Sequence, residues 1–264
     1  SDASVSGWGS ATVIATLAAA VVLLGAFAVI ETRSPQPLVP FSMFRHRPLS
    51  IANVLMATVG VTLTASVYFL SLYEEQILGY SPVRTGLSLV PMTALFVIGA
   101  LLSRRLMPIY GPRMLLIVGA VVTAAGLAWL SIISVHSDYA ADVLGPTLVA
   151  GAGLSLMIVP IVAAATIGIE HKMAGVASGL VNTGRQVGGA IGLAVLVTVA
   201  ASAAHASGLS AAAGVVHGYR IAFVITAAVS LASAIIAALL PARTKPAPAP
   251  PAATPDSEQL VHRH

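Results

Sequence analysis

The sequence predicts an all-α, polytopic membrane protein with seven transmembrane helices, six of them arranged as an inverted 3+3 repeat. Three observations carry this. First, thirteen Lys/Arg and nine Asp/Glu in 264 residues gather in short clusters between long apolar runs. Second, the runs at about 11–30, 49–72, 85–103, 114–134, 143–168, 175–200 and 219–240 each supply the roughly 20 apolar residues that a helix needs to cross a bilayer's hydrocarbon core. Third, the cations are lopsided. Arg33, Arg45 and Arg47 follow span 1, Arg104, Arg105 and Arg113 follow span 3, Lys172 follows span 5, and Arg243, Lys245 and Arg263 lie in the tail. Only Arg84 and Arg220 fall on the other side. Lys and Arg accumulate in short cytoplasmic loops, so the N-terminus is placed outside and the C-terminus in the cytoplasm of a multi-pass cell (inner) membrane protein.

Composition excludes more than it adds. The net charge of +4 follows the same cation pattern and gives no reason to expect a nucleic-acid partner. The absence of cysteine removes disulfides and thiolate metal sites, and no cofactor or metal site is read from the chain. Span 1 lacks the basic residue that precedes the apolar stretch of a signal peptide, and Asp2 stands there instead. Ser1 opens the chain in place of methionine, which predicts the C-terminal part of something longer.

Three regions are expected. Residues 1–47 hold an outside N-terminal loop, a peripheral helix almost without polar side chains after Thr16, and a cytoplasmic linker. Pro35, Pro37 and Pro40 keep that linker from continuing as helix. Residues 48–241 form a six-helix unit, opened by Pro48, which starts a helix without losing a hydrogen bond. Spans 2–4 and 5–7 would begin on opposite sides of the membrane, because an odd number of spans per set forces an inverted repeat. Residues 242–264, rich in Pro and Ala, read as a disordered cytoplasmic tail.

The strongest local feature is Ala174 to Gly192, AGVASGLVNTGRQVGGAIG, at the start of span 6. Gly184, Gly188 and Gly192 recur every four residues and share a helix face, which admits a close neighbouring backbone. Asn182, Arg185 and Gln186 cluster beside them. From a helix start near Gly175, Arg185 lies about 15 Å along the axis at 1.5 Å per residue. It either faces protein or a cavity in a pairing or pathway role, or it snorkels from a helix that begins in the cytosol.

Span 2 carries Asn53, Ala57, Gly60, Thr64, Tyr68, Ser71 and Glu75 at spacings of three and four, opposite Leu55, Val59, Leu63, Val67 and Leu70. Such a small-and-polar stripe suits a water-filled cavity or tight packing through small residues. Span 5 has a weaker stripe of Thr147, Gly151, Ser155 and Thr166, with Pro160 as a kink. The acidic residues are assigned to loops, tails or span ends and all seven histidines to positions outside the spans; Glu74 and Glu75 are either a solvated outer rim or the only nearby candidates for proton coupling in this chain.

Ala174 to Gly192 resembles the late-span signature of drug:proton antiporters with fourteen spans, a branch of the major facilitator superfamily. Tyr73 to Leu87 (YEEQILGYSPVRTGL) resembles the loop after the first span of their C-terminal half. Gly99 to Arg113 is similar to the superfamily's basic loop motif but lacks its acidic residue. The likeness runs from about Gly7 to Pro241. It implies that span 1 is the second of two extra central helices and that spans 2–7 are the C-terminal six-helix half of a major facilitator fold. It further implies that the missing N-terminal half holds the coupling carboxylate. The expected function is multidrug efflux of small hydrophobic compounds by proton antiport, with no enzymatic step. The resemblance puts spans 2 and 5 at the cavity, so Asn53, Thr64, Tyr68 and Ser155 are expected to line the substrate pathway. Asn182, Gly184, Arg185, Gln186 and Gly188 are expected at a helix interface or in coupling.

Rival readings are a seven-span receptor or a non-transporting structural segment. A retinal protein would need a lysine inside a span, and Lys172 and Lys245 lie outside. A serine protease at Ser155 would need an intramembrane histidine as base, which this reading does not find.

Overall fold

The computed structural model describes residues 11–34, 43 and 45–240. The N-terminal loop, the Pro-rich linker and the tail expected from the sequence lie outside the described residues. Among those described, every regular element is helical. They are α1 (Ala11–Arg33), α2 (Arg47–Gln76), the short α3 (Pro82–Ser88), α4 (Val90–Leu130), α5 (Gly145–Ala165), α6 (Ala174–Ala206) and α7 (Ala211–Ala237). A π-helical turn, Tyr139–Leu144, leads into α5.

Six helical segments are long and apolar enough to cross a membrane. One of them, Pro82–Leu130, provides two passes. Gly111 within α4 has φ 78 and ψ 161, a conformation open to glycine, and Pro108 and Pro112 flank it. The contacts of α5 show that the chain reverses there. Met92 meets Gly151, Gly99 meets Ser155, and Ser103 donates to the Leu156 carbonyl at 3.1 Å, so the first arm runs parallel to α5. Gly126 meets Ala150 and Gly119 meets Gly153 and Met157, so the second arm runs antiparallel to it. Two arms of opposite direction make the hairpin that the sequence reading splits into spans 3 and 4.

Helix α6 lies parallel to α2, with Asn53 against Gly184, Ala57 against Gly188 and Val61 against Gly192. Helix α7 runs antiparallel to α2: Tyr219 bonds Gln76 at one end and Ser233 bonds Thr58 at the other. It also ties to the second arm of α4, through Ser230 to the Ala120 carbonyl and Arg220 to the Ser131 carbonyl. Exchange α2 and the two arms of α4 for α5, α6 and α7, and this pattern of parallel and antiparallel neighbours is unchanged. That is the packing of an inverted repeat.

Two apolar clusters fill the bundle. One joins Leu55, Val59, Leu116, Leu154 and Ile161; the other joins Phe69, Tyr73, Leu127, Leu130 and Phe223. In helix α1, Val21 to Leu24 are exposed, while Glu31 near its end is buried.

Span 7 is the largest boundary difference. The helix starts at Ala211, not near Tyr219, and so includes His217 and Arg220. Residues 211–216 (AAAGVV) are cut off from the main apolar run by His217, Gly218 and Arg220, and a reading based on apolar runs passes over them. Helix α6 likewise continues to Ala206 and carries His205 in its last turn.

The close approach of α2 and α6 generates a stability test. A Cβ on Gly60 would sit 2.0 Å from the Arg185 carbonyl oxygen, whereas one on Gly25 in α1 meets nothing within 4 Å. Gly60→Ala is expected to lower the thermal unfolding midpoint of the detergent-solubilised protein by an amount equivalent to about 1–3 kcal/mol. Gly25→Ala should leave the midpoint unchanged.

Candidate functional site

The candidate site is built on α2, because each part of its length faces a different neighbour. Its N-terminal half is a packing surface. Asn53, Ala57, Gly60 and Thr64 rest on the glycine face of α6: a Cβ on Gly188 would lie 2.4 Å from the Ala57 carbonyl, and one on Gly189 2.6 Å from Thr64 Oγ1. Asn53 turns its amide to the Leu49 carbonyl at 3.0 Å. Of the two roles open to the stripe from sequence, close packing accounts for these four positions.

Arg185 is half-buried on α6. Its Nε and Nη2 donate to Asn182 Oδ1 at 3.4 and 3.1 Å, a pair one helical turn apart. Asn182 and Gln186 are exposed. Gly184 and Gly188 sit in the interface with α2, so the face that packs and the edge that carries the guanidinium adjoin on one helix. Ser155 is buried, donates to the Ala152 carbonyl at 2.7 Å, and fills the space left by Gly99 on the first arm of α4.

The C-terminal half of α2 opens onto a groove shared with α6 and α7. Tyr68, Phe69, Gln76, Val197, His205 and Tyr219 are among the residues that line this cavity of about 270 Å³. Phe69 packs against Tyr219 and Phe223, with ring centroids 5.6 and 6.4 Å apart, while Tyr219 Oη donates to Gln76 Oε1 at 2.8 Å. Tyr68 is exposed at the rim of this groove, next to Phe69. The surface is aromatic and apolar with a few fixed polar atoms, which suits small hydrophobic ligands. Sequence reasoning reached Tyr68 but missed Phe69, Gln76, His205 and Tyr219, because the last two required the true extents of α6 and α7.

The end of α2 corrects the sequence reading most. Glu74 and Glu75 were expected together on a solvated rim. Glu75 is exposed, but Glu74 is fully buried at 0%. Successive residues on a helix point about 100° apart, and Glu74 lies four residues after buried Leu70, on the core side. A turn through Gly79, with φ 68, folds α3 back over this end. Ser81 caps α3, and Pro82 supplies its first turn. Ser88 Oγ thereby reaches Glu74 Oε2, while Tyr139 Oη donates to the Ser88 carbonyl at 2.8 Å and fixes α3 to the start of the α5 segment. Arg84 lies 3.7 Å over the Tyr80 ring.

These features define a multi-pass helical membrane protein of transporter architecture, with paired inverted repeats and a ligand-sized groove between helices. The chain belongs to the major facilitator superfamily, whose family model matches residues 3–193. It is 36% identical over 244 residues to the cephamycin export protein CmcT of Amycolatopsis lactamdurans, covering 92% of this chain and 49% of that protein. It is 34% identical over 240 residues to the puromycin resistance protein pur8 of Streptomyces alboniger, covering 87% and 48%. It is 35% identical over 196 residues to a tetracenomycin C resistance and export protein of Streptomyces glaucescens, covering 74% and 36%. The chain spans about half the length, or less, of these curated relatives.

Accessibility separates the faces of α2. In this cysteine-free background, Tyr68→Cys is expected to react with a membrane-impermeant maleimide, and Val59→Cys, buried at 1%, to stay unlabelled. Equal labelling of the two, read by mass shift, would contradict the packing described for α2.

Proposed function

We propose that this chain is the C-terminal part of a multidrug exporter that moves small, largely hydrophobic molecules out of the cell in exchange for protons. The observation that carries the reading is the pseudo-symmetric six-helix unit, in which two equivalent helices keep their outer faces uncovered. The first arm of α4 exposes Val97, Ile98, Leu101 and Leu102, and α6 exposes Val187, Ile191 and Val195. A second six-helix half, preceding this chain in the complete protein, is the partner that would cover both. Substrate would bind near the midplane between the halves, and alternating access would follow from rocking one against the other. The printed names of the cephamycin, puromycin and tetracenomycin C relatives support export as the direction of transport and antibiotics as the kind of substrate.

In this reading Asn53, Thr64, Tyr68 and Ser155 belong to the helices that flank the pathway, and Tyr68 is the one whose side chain meets substrate. Arg185 acts at the junction of the halves: its guanidinium, held by Asn182, presents its remaining N–H groups to the opposite half. The N-terminus faces outside and the C-terminus the cytoplasm, as the cation split requires.

Two experiments test this. With protein expressed from its complete gene and reconstituted in vesicles, an imposed proton gradient should drive accumulation of a fluorescent hydrophobic cation, and a protonophore should abolish it. Uptake insensitive to the protonophore would overturn the antiport reading. In the same system Arg185→Lys, which keeps charge but loses the planar fork, should reduce transport several-fold, and Arg185→Ala should abolish it at normal membrane abundance. Wild-type transport by Arg185→Ala would instead make Arg185 a solvent-facing anchor. For orientation, single cysteines at Asp138 and Ser207 should label from outside, and one at Arg113 only after permeabilisation.

A further inference from the structure

Glu74 sits in a hydrogen-bond arrangement whose proton count is decisive. Ser88 Oγ contacts two acceptors at once, Glu74 Oε2 and the Thr85 carbonyl oxygen, the latter at 2.6 Å. A hydroxyl has a single hydrogen to donate. With an ionised carboxylate, the one Ser88 hydrogen would have to be shared between the two acceptors. With a protonated carboxyl, Glu74 O–H donates to Ser88 Oγ and Ser88 O–H donates to the Thr85 carbonyl, so every contact holds one hydrogen. The remaining oxygen, Glu74 Oε1, is buried without a protein partner, as is Thr85 Oγ1 one turn from Ser88 on α3. Burying an unpaired carbonyl-type oxygen costs far less than burying an unpaired anion.

Among the described residues, no countercharge is paired with Glu74. Glu75, next along α2, is exposed and of the same sign; Tyr80 and Tyr139 are neutral phenols; Arg84 faces the Tyr80 ring. The short helix α3 covers the site, held by the Tyr139–Ser88 bond and by Arg84 on Tyr80.

We propose that Glu74 is a proton-carrying site of the transport cycle, loaded and sealed under α3 in this conformation. Displacement of α3 would admit water; the carboxyl O–H bond would then break, the proton passing to a water molecule and the electron pair remaining on the hydrated carboxylate. This deepens the antiport reading and rests on it, but it places a proton site within this chain. The sequence reading had assigned the coupling carboxylate to the absent half.

The test uses protein from the complete gene in proteoliposomes, with two readouts: gradient-driven uptake of a fluorescent hydrophobic cation, and substrate exchange with no gradient. Glu74→Gln should reduce gradient-driven uptake on the order of tenfold or more, within the range usual for coupled sites, while exchange stays near wild type. Glu74→Gln with wild-type gradient-driven uptake, or with both activities lost in parallel by folded protein, overturns the proposal. Should that variant fail to fold, Ser88→Ala decides. It removes the side chain that bonds the carboxyl, so the pH of half-maximal uptake should shift by about half a unit or more, the effect of one lost hydrogen bond. No shift overturns the proposal. A wild-type protein whose uptake ignores the proton gradient defeats the antiport reading itself, an outcome distinct from failure at Glu74.

Discussion

The architecture depends on one constraint, the backbone-to-backbone approach of α2 and α6. Lipid tails are as apolar as leucine, so apolar burial gives little drive for helices to associate within a bilayer, and van der Waals contact has to supply it. Glycine makes that contact available. The Arg185 carbonyl lies where a Cβ of Gly60 would be, and the Ala57 carbonyl lies where a Cβ of Gly188 would be. The contact repeats along both helices at a spacing of four, Asn53, Ala57 and Val61 against Gly184, Gly188 and Gly192, which fixes the register as well as the distance. The inverted counterpart is built from the same materials: Gly99 receives Ser155, and Gly119 and Gly126 receive Gly153 and Ala150. Two sets of close parallel and antiparallel pairs thus give a rigid six-helix unit.

Rigidity there explains how a buried carboxyl is tolerated at the end of α2. A polar group in such a position is stable only if the surrounding framework holds its partners in place. Glu74 gets its partner from α3, which is seven residues long and could not persist as a helix by itself. That helix is fixed at both ends, by the Ser81 cap and by Tyr139 at Ser88. Tyr73, the neighbour of Glu74, donates to the Ser134 carbonyl at 2.6 Å and pins α2 to the loop that leads into the π-helical turn. The polar atoms at this end therefore tie α2, α3 and α5 together, whereas glycines bring α2 and α6 together along the N-terminal half of α2.

Much of this was legible in the chain. Seven apolar runs, a glycine every fourth residue in span 6 and an odd number of spans per repeat led directly to the helix count, the packing face and the inverted order. Boundaries were less legible where polar residues interrupt an apolar run, as at His217 and Arg220. The stripe on span 2 was read correctly as a face, but its two possible uses could not be separated without knowing which helix lay against it. Glu74 was misplaced because two adjacent acids were treated as one feature. The spacing itself separates them: Glu75 continues the series Asn53, Ala57, Gly60, Thr64, Tyr68 and Ser71, while Glu74 follows Leu55, Val59 and Leu70 onto the core face.

The two halves of α2 therefore meet different demands within one helix. Along its N-terminal half, a side chain larger than hydrogen at Gly60 would collide with backbone, so that stretch moves only together with α6. Along its C-terminal half the neighbours include Tyr219, Phe223 and the short α3, joined through side chains. Side-chain contacts re-form in alternative rotamers far more readily than interlocked backbones slide. A conformational change that preserves the bundle should therefore concentrate at the C-terminal end of α2, where the aromatic groove and the buried carboxyl share the last turns of the same helix. Gln76 on the groove side and Glu74 on the core side are separated mainly by rotation about α2, and Tyr68 lies on the groove side about two turns before Gln76. Any displacement of α3 that uncovers Glu74 acts on the turn of α2 that also carries Gln76, the acceptor for Tyr219 across the groove. Ligand contact on one face and proton exchange on the other would then be linked through a single helical turn, with no need for a longer path through the protein.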